Sequence, residues 1–434
     1  MKRATVAIAV VAAAVVTACG GGQEKRIAPA AQALKVPGCS TVTYGGKGRP
    51  EYLIAASTAL QGRFTDHGIQ SVQALKMVLA ERGWRAGDHR IGLQICNEAA
   101  AGSSGAVSSA SCRRNARAFA RNTSVLGVIG PLFSTCAVEM LPILNRAPNG
   151  PLAAISGSTS YLGLTRSGPG VARGDPGRYF PTGRHSFVRV VPADDAQAAA
   201  AALYARQQGS RRAFVLNDGD IYGSGLADAF VTAAERTGIS VVGSSRWSGR
   251  AASYRALARR IQAARPDVVF LSGYVSSNGP RLIKDLRETL GDKALLLGPD
   301  GFLQAETIVE GAGAAAEGFA GTIAVLPVGE LPAAGRDFAA RFQRRFGQMP
   351  CCFSVHTAQA ASMLLDAIAA SGGRRADVVA HLFGAHVQKG LLGEFTIDAQ
   401  GDTSQTTIGV YRIQGGRLTF IAPVTPPATL LARR

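Results

Sequence analysis

Short apolar runs alternate with amphipathic stretches over most of the chain, starting near Glu51. The run at 125–129, VLGVI, is almost continuously apolar, as expected for a strand that is buried on both faces of a parallel sheet. A helical pattern with apolar residues at 140–144 follows, and a second apolar run starts at Leu152. This repeated alternation of strand and helix predicts an α/β fold built from doubly wound parallel sheets.

The same alternation predicts buried strands in both halves of the chain. These strands are expected at 52–56, 90–95, 186–191, 213–216, 239–242, 267–271 and 294–297. A hairpin is predicted over 407–421, and the stretch 161–184, which has no periodicity, is predicted to be a surface loop at a cleft edge. Beyond the N-terminal region about 400 residues remain, too many for one ordinary core, so we expect two domains.

Small polar loops follow two neighbouring predicted strands. Ser134 and Thr135 come just after 125–129, and the sequence SGSTS at 156–160 comes just after the next strand. The carboxyl ends of parallel strands meet at one edge of a sheet, where open α/β sheets bind ligands. Hydroxyl groups and the free N–H groups of a helix start make these loops a candidate site for a carboxylate.

The N-terminus has the pattern of an export signal. Lys2 and Arg3 precede an apolar run at 4–16, and small residues lead to Cys19. The run is too short for a membrane-spanning helix. The sequence VTAC also resembles a bacterial lipobox, which implies cleavage of residues 1–19 and a lipid on Cys19; the alternative is ordinary signal cleavage beside a coincidental cysteine. Residues 20–50 are predicted to form a tether, flexible through Pro37, and an N-terminal segment.

The chain is strongly basic, with a formal net charge of +18. Its arginines are scattered rather than gathered into one stripe with interleaved aromatic residues, and an exported protein does not meet nucleic acid. Nucleic-acid binding is therefore not expected. The charge is consistent with an arginine-rich proteome and with attraction to an anionic envelope surface.

Seven cysteines are present, and six remain if Cys19 carries a lipid. An even number in an oxidising compartment favours disulfides. Cys96 follows a predicted strand and Cys136 lies at the start of the helix after 125–129, so both are predicted near the mouth of one domain. A bond joining two of Cys96, Cys112 and Cys136 is expected. The adjacent residues 351–352 are expected to resist direct pairing. No CxxC or HExxH motif occurs, and no metal site is predicted.

Catalytic motifs are absent from the sequence. There is no GxSxG, no Walker loop and no GxGxxG after a predicted strand. Ser156, Ser158 and Ser160 have no histidine at a recognisable spacing. We therefore expect a protein that is not an enzyme and needs no cofactor; a secreted hydrolase is the disfavoured alternative.

The sequences IGPLFSTCA at 129–137 and LAAISGSTSYLGLT at 152–165 resemble the paired ligand loops of the Leu/Ile/Val-binding proteins. These are type I periplasmic binding proteins, the extracytoplasmic receptors of ABC importers. The resemblance extends from about Glu51 to about Leu418 in the family's order. It implies two doubly wound lobes joined by a three-strand hinge that closes on a ligand. Lobe 1 is then expected to comprise 51–189 and 327–394, and lobe 2 to comprise 190–326 and 395–434.

The resemblance also implies which residues bind. Ser134 and the loop of Ser158, Thr159 and Ser160 are expected to hold a ligand carboxylate, since hydroxyl and backbone donors suit an anion. Asp300 is expected to pair with a ligand ammonium. For Asp300 the alternative is a turn residue in the sequence Pro-Asp-Gly.

Aromatic and polar residues complete the expected wall. Tyr222 and Tyr274 match tyrosines of the family's second lobe, with packing at strand ends as the alternative. In the first lobe, Phe64 and His67 are expected at the ligand. His67 stands where branched-chain amino acid binders often carry an aromatic residue, so Phe64, Asp66 and His67 together predict a more polar wall. A branched-chain or other amino acid, an amide, a short peptide and an aromatic acid therefore all remain open as ligands.

Two functions are consistent with the sequence. The first is a monomeric receptor that is anchored to the extracytoplasmic face of the membrane by its lipid, binds a small molecule and delivers it to ABC permease and ATPase subunits. The second is a ligand sensor of the same fold that signals to a membrane partner.

Overall fold

The computed structural model describes Met1, residues 30–99 and residues 107–432. The predicted signal sequence, Cys19 and the first part of the predicted tether lie outside these residues. Among the described residues, no helix is both long and apolar enough to cross a bilayer.

The first half of the chain alternates strands with helices, as the apolar pattern predicts. Its strands are β1 Tyr52–Thr58, β2 Arg85–Ala86, β3 His89–Asn97, β4 Val125–Ile129, β5 Ala153–Ser156 and β6 Phe187–Arg189. Its helices are α1 Thr65–Glu81, α2 Ser109–Arg121 and α3 Ser134–Asn145. The strands form one sheet in the order β2-β3-β1-β4-β5-β6, in which only β2 is antiparallel to its neighbour.

The second half builds a separate seven-stranded sheet. Its strands are β7 Arg212–Asn217, β8 Ser240–Arg246, β9 Val268–Ser272, β10 Leu295–Gly298, β11 Ala320–Ile323, β14 Ile408–Gln414 and β15 Arg417–Val424. Its helices are α4 Asp194–Gln207, α5 Ile221–Arg236, α6 Arg255–Ala263, α7 Gly279–Leu290 and α8 Ala305–Ala312. The order is β15-β14-β11-β10-β9-β7-β8, and the antiparallel hairpin β14–β15 lies at one edge, as predicted over 407–421.

Between β11 and β14 the chain runs back to the first sheet. It forms α9 Ala333–Phe346, α10 Ser354–Ala370, α11 Arg375–Leu382 and the small hairpin of β12 His386–Gly390 with β13 Gly393–Thr396. Phe338, Leu364 and Phe395 are buried in the same cluster as Ile54 of β1 and Leu93 of β3. We call the part built on the first sheet the first lobe and the part built on the second sheet the second lobe.

The central strands of both sheets are fully buried. All five residues of β4 and all five of β9 are buried, because helices pack on both faces of each sheet. The continuous apolar runs in the sequence therefore mark the middle of each sheet. The predicted α/β class with doubly wound parallel sheets is confirmed.

Residues 30–50 pack along the edge of the first lobe. Leu34 is buried, and its backbone N–H donates to Gln94 Oε1 over 2.7 Å. The backbone N–H of Thr43 donates to the Leu93 carbonyl over 2.8 Å, and Cys39 forms a disulfide with Cys96 of β3. The prediction of a flexible tether through Pro37 is therefore wrong for residues 30–37, which pack against the first lobe.

Two further disulfides join the remaining cysteines. Cys112 of α2 is bonded to Cys136 of α3, which confirms a bond within the predicted set of three. Cys351 is bonded directly to Cys352. The expectation that these neighbours would resist pairing is wrong in this structure, where Cys352 adopts a positive φ of 59° in the turn before α10.

Two helices beside the cleft begin without a side-chain cap. Ser134 is the first residue of α3 and Asp194 the first residue of α4, and neither helix has a side-chain cap. Both side chains are thereby released from capping, and both lie near the cleft between the lobes.

The predicted surface loop 161–184 is tied together by buried polar groups. Asp175 accepts hydrogen bonds from the hydroxyls of Tyr161 over 3.0 Å and Tyr179 over 2.9 Å. The loop also reaches the second lobe, because the Tyr161 ring and the backbone of Gly170 pack against Gly225 of α5. It therefore bridges the two lobes beside the cleft.

Candidate functional site

A cavity lies between the lobes at the carboxyl ends of both sheets. About 390 Å³ of space not occupied by protein atoms, including space open to solvent, lies among its lining residues. It is lined by Phe64, His67, Leu132, Phe133, Ser134, Ser158, Ser160, Tyr222, Tyr274, Asp300, Gly301 and Phe353. A neighbouring recess of about 340 Å³ within the first lobe shares Leu132 and Ser158 with it.

Eight of the nine residues predicted at the ligand line this cavity. The exception is Thr159, which is buried behind the wall. The sequence did not point to Leu132, Phe133, Gly301 or Phe353. Leu132 and Phe133 lie inside the quoted loop, whereas Phe353 comes from the turn before α10 and had no local signal.

The first lobe presents hydrogen-bond donors to the cavity. Ser134 Oγ accepts the backbone N–H of Tyr161 over 3.3 Å, so its own hydrogen is available to a ligand. Within the described residues, the backbone N–H groups of Ser134 and Ser160 have no protein acceptor. These three donors at the start of α3 and in the loop after β5 suit a carboxylate.

The other loop hydroxyls hold the loop in shape. Ser158 Oγ donates to the Leu132 carbonyl over 3.0 Å, and Thr159 Oγ1 donates to the Pro131 carbonyl over 2.6 Å. Ser156 Oγ accepts the backbone N–H of Thr159 over 3.0 Å. The hydrogens of Ser158 and Thr159 are therefore already used between the two loops.

Glu98, at the end of β3, lies behind the donors. Its carboxylate accepts the backbone N–H of Leu132 over 2.8 Å and that of Phe133 over 3.3 Å. The side chain is fully buried, and this burial raises the pKa of Glu98 to about 7 although both hydrogen bonds favour the ionised form. Glu98 thus fixes the entry to α3 without facing the cavity.

The second lobe presents an acceptor instead. Asp300 is half-buried, and its Oδ1 accepts the Tyr222 hydroxyl over 2.7 Å and Gln197 Nε2 over 2.7 Å. Both side-chain bonds fall on one oxygen, so Oδ2 has no side-chain donor within the described residues. Desolvation raises the pKa of Asp300. A cation beside Oδ2 would have the opposite effect, because it stabilises the ionised carboxylate.

Tyr274 is positioned by a tight approach of two loops. Its backbone N–H donates to Asp218 Oδ2 over 2.9 Å. Gly273 precedes it with φ +149°, and a Cβ atom there would collide with the Asp218 carboxylate. A glycine is therefore required for the second-lobe loops to meet behind the Tyr274 ring.

Aromatic rings from both lobes form one wall of the cavity. The ring centroids of Phe64 and Phe133 are 5.1 Å apart, and each lies 5.7 Å from the ring of Tyr274. Tyr222 follows, with its centroid 5.0 Å from that of Tyr274. The edge-to-face arrangement of the first three rings is a favourable aromatic geometry.

The predicted contribution of Asp66 to the cavity wall is wrong, whereas Phe64 and His67 line the cavity. Asp66 is exposed to solvent and does not line the cavity. Burial lowers the pKa of His67 to about 4, so the imidazole is neutral at pH 7. Its ring packs edge-on against Phe64 at 5.3 Å, and it therefore belongs to the aromatic wall.

Direct contacts between the lobes border the cavity. Thr135 Oγ1 of the first lobe donates to Asp220 Oδ2 of the second lobe over 2.6 Å. Gln304 Nε2 donates to the carbonyl of Arg63 over 3.3 Å. The structure therefore represents a closed arrangement of the two lobes.

The described part of the chain offers no cluster of three or more histidine, cysteine or acidic side chains that could hold a metal ion. The site instead combines neutral donors on one side, a carboxylate on the other and rings between them. Such a site can hold a small organic ligand whose two ends differ in charge.

A family model described as "Periplasmic binding protein" matches residues 51–417. The curated Leu/Ile/Val-binding protein BraC3 from Rhizobium johnstonii is 30% identical over 180 residues, which is 41% of this chain and 44% of that protein. The match thus spans less than half the length of this curated relative.

Solved structures resemble the whole fold. A leucine-binding protein, LivK, from Thermotoga maritima aligns with a TM-score of 0.73 and 20% identity over 86% of this chain and 99% of that chain. A solute-binding protein of an ABC transporter from R. palustris, in complex with benzoate, aligns with a TM-score of 0.68 and 18% identity over 86% of this chain and 96% of that chain. These likenesses establish a shared fold.

Proposed function

Because the chain belongs to the periplasmic binding protein family, we propose that it is an extracytoplasmic solute receptor that closes its two lobes on an amino acid. The observation that carries this proposal is the division of the cavity. The Ser134 hydroxyl and the backbone N–H groups of Ser134 and Ser160 line the cavity from the first lobe, and the Asp300 carboxylate lines it from the second. An α-amino acid has a carboxylate for one side and an ammonium for the other.

The aromatic wall bears on the side chain of the ligand. Phe64, Phe133 and Tyr274 offer ring surface, and His67 is neutral, so this part of the cavity favours an apolar side chain over a charged one. We therefore favour a branched-chain or aromatic amino acid. The solved relatives are a leucine-binding protein and a protein in complex with benzoate, an acid without an ammonium group, so the two ligand classes must be separated by experiment.

The cellular role follows from the family and from the N-terminal sequence. We propose that the chain is tethered through a lipid on Cys19, acts as a monomer and delivers its ligand to the permease and ATPase subunits of an ABC importer. A sensor of the same fold would bind the same ligand but would not support its uptake. Uptake of the radiolabelled ligand by cells with and without the gene distinguishes these roles.

A thermal-shift screen tests the ligand class, because a ligand that binds only the native state raises the unfolding midpoint. The screen pairs each amino acid with its deaminated acid, namely L-leucine with 4-methylpentanoate and L-phenylalanine with 3-phenylpropanoate, and adds benzoate. We expect a rise with at least one apolar amino acid and a smaller or no rise with its deaminated partner. A rise with benzoate or the deaminated acids alone would overturn the amino-acid assignment.

A further inference from the structure

Asp194 is a buried carboxyl group that the site described above does not use. Its side chain is 1% exposed, and neither carboxylate oxygen has a hydrogen-bond partner of good geometry within the described residues. It does not cap α4, although it is the first residue of that helix. Its backbone N–H donates to the carbonyl of Ser160 over 2.9 Å, which places it directly behind the cavity wall.

The groups around Asp194 come from both lobes. The Ser160 hydroxyl lies within hydrogen-bonding reach of it in the loop after β5, and Asp300 of the second-lobe wall is near enough for the two charges to interact. The hydroxyls of Tyr222 and Tyr274 are close enough to feel its charge. Asp194 therefore lies behind Ser160 and within electrostatic reach of Asp300.

The charged neighbours of Asp194 already have partners. Arg189 of β6 is fully buried, donates from Nε to Asp402 Oδ1 over 2.7 Å and from Nη1 to the Tyr161 carbonyl over 2.8 Å. Asp195, the next residue of α4, accepts the backbone N–H of Ala432 over 2.9 Å. No described cation is therefore left to pair with Asp194.

Burial raises the pKa of Asp194 to about 8; the Ser160 hydroxyl and Arg189 oppose this rise, and the charges of Asp300 and Asp195 add to it. Neighbouring carboxyl groups cannot all ionise readily unless a cation joins them. Asp194 is thus an acidic group near the cavity that no described cation of the protein neutralises.

We propose that Asp194 is the second carboxyl of the ammonium subsite and acts through Ser160. Asp194 accepts the Ser160 hydroxyl hydrogen, which turns the lone pairs of Ser160 Oγ toward the cavity as an acceptor for a ligand N–H. Asp194 and Asp300 then share the compensation of the positive charge. This inference rests on the proposed function, because it requires a ligand with a protonated primary amine, and it makes Asp194 a positioning residue.

Under this proposal, ligand binding releases a proton from Asp194. When the ligand ammonium enters, the protonated Asp194 loses its proton to solvent and becomes a carboxylate. Binding of a cationic group near neutral pH is therefore coupled to proton release, and binding of an acid that lacks the amine is not.

Calorimetry tests this with L-leucine as the probe and 4-methylpentanoate as its match without an amine. Titrations at pH 7 in phosphate and in Tris, which differ in ionisation heat, give the number of protons released. We expect Asp194→Asn to bind L-leucine about 10- to 100-fold more weakly, to release fewer protons, and to bind 4-methylpentanoate as the wild type does. Asp292→Asn, whose side chain is 96% exposed, is the control, and we expect wild-type affinity and proton release from it.

The outcomes separate the two proposals. A wild type that binds L-leucine together with an Asp194→Asn variant of equal affinity and proton release would overturn the role of Asp194 and leave the proposed function standing. A wild type that binds the acids but none of the amino acids would overturn both. If Asp194→Asn does not fold, Ser160→Ala replaces it: loss of the preference for L-leucine supports the relay, and an unchanged preference contradicts it.

Discussion

The two lobes meet at one cavity with opposite polarity. The first lobe turns backbone N–H groups and the Ser134 hydroxyl toward the ligand space. Its buried carboxyl group, Glu98, accepts backbone hydrogen bonds behind that wall. The second lobe turns the Asp300 carboxylate into the same space and keeps Oδ2 free of side-chain donors. Neither lobe alone offers partners for both charged groups of a zwitterion. The difference shows how one small molecule can be held in a fixed orientation and can draw both lobes together.

Asp300→Asn removes the charge of the second lobe and should have the largest effect. The amide oxygen can still accept from Tyr222 and Gln197, so we expect the fold to persist. Loss of the charge should weaken an amino-acid ligand by about 2–5 kcal/mol, or roughly 30- to several-thousand-fold. Isothermal titration calorimetry with the amino acid identified by the thermal screen measures this.

A matched substitution on the same lobe is Asp292→Asn, whose side chain is 96% exposed. It should leave affinity unchanged. If Asp300→Asn binds as tightly as the wild type, Asp300 is a turn residue or the ligand has no ammonium, and the contrast between the lobes has no bearing on binding.

Glu98→Gln tests the hidden carboxyl of the first lobe through the pH dependence of stability. Burial raises the pKa of Glu98 to about 7, against roughly 4.3 for an unfolded glutamate. The native state then holds a proton that the unfolded state lacks, so this stabilising contribution is complete below about pH 4 and is lost as pH rises to about 7. The variant should lack that fall, which amounts to about 4 kcal/mol at most.

Urea unfolding at pH 5 and pH 8 measures the effect as the difference between variant and wild type. His67 and His356 have pKa values lowered to about 4 and therefore contribute with the opposite sign, but they are common to both proteins and cancel. Glu139→Gln on α3 is the control and should follow the wild type. A difference that does not change with pH would contradict the assigned role of Glu98.

Ser134→Ala removes one donor from the first lobe and should have the smallest effect. Backbone N–H groups remain to hold the ligand carboxylate, so we expect a loss of about 2- to 12-fold in affinity. Ser158→Ala is the comparison, because the Ser158 hydroxyl already donates to Leu132 and should matter less to the ligand. A larger loss with Ser158→Ala than with Ser134→Ala would reverse our assignment of the free donor.

Much of the fold could be predicted because its signals are local. Continuous apolar runs such as 125–129 mark buried strands, and helical periodicity between them marks the crossovers. The site loops were predictable for the same reason, since they follow directly on those strands. The starts of helices were less predictable: Ser134 and Asp194 are residue types that commonly cap helices, but each is the first residue of its helix and neither caps it.

The rest of the site depends on packing between distant parts of the chain. Asp66 and His67 are neighbours in sequence, but consecutive helical residues point in different directions, and only His67 faces the cavity. Phe353 reaches the site from the turn before α10, and Gln197 and Glu98 act from behind it. No spacing in the sequence encodes these contacts, because they arise when the lobes are assembled.

The disulfide between Cys39 and Cys96 has a mechanical consequence. It locks the N-terminal segment onto the edge of the first sheet, and the second lobe has no such covalent link to that segment among the described residues. An anchorage that reaches the chain from upstream of residue 30 therefore acts directly on the first lobe. Under the proposed anchoring, closure on a ligand would move the second lobe relative to an anchored first lobe.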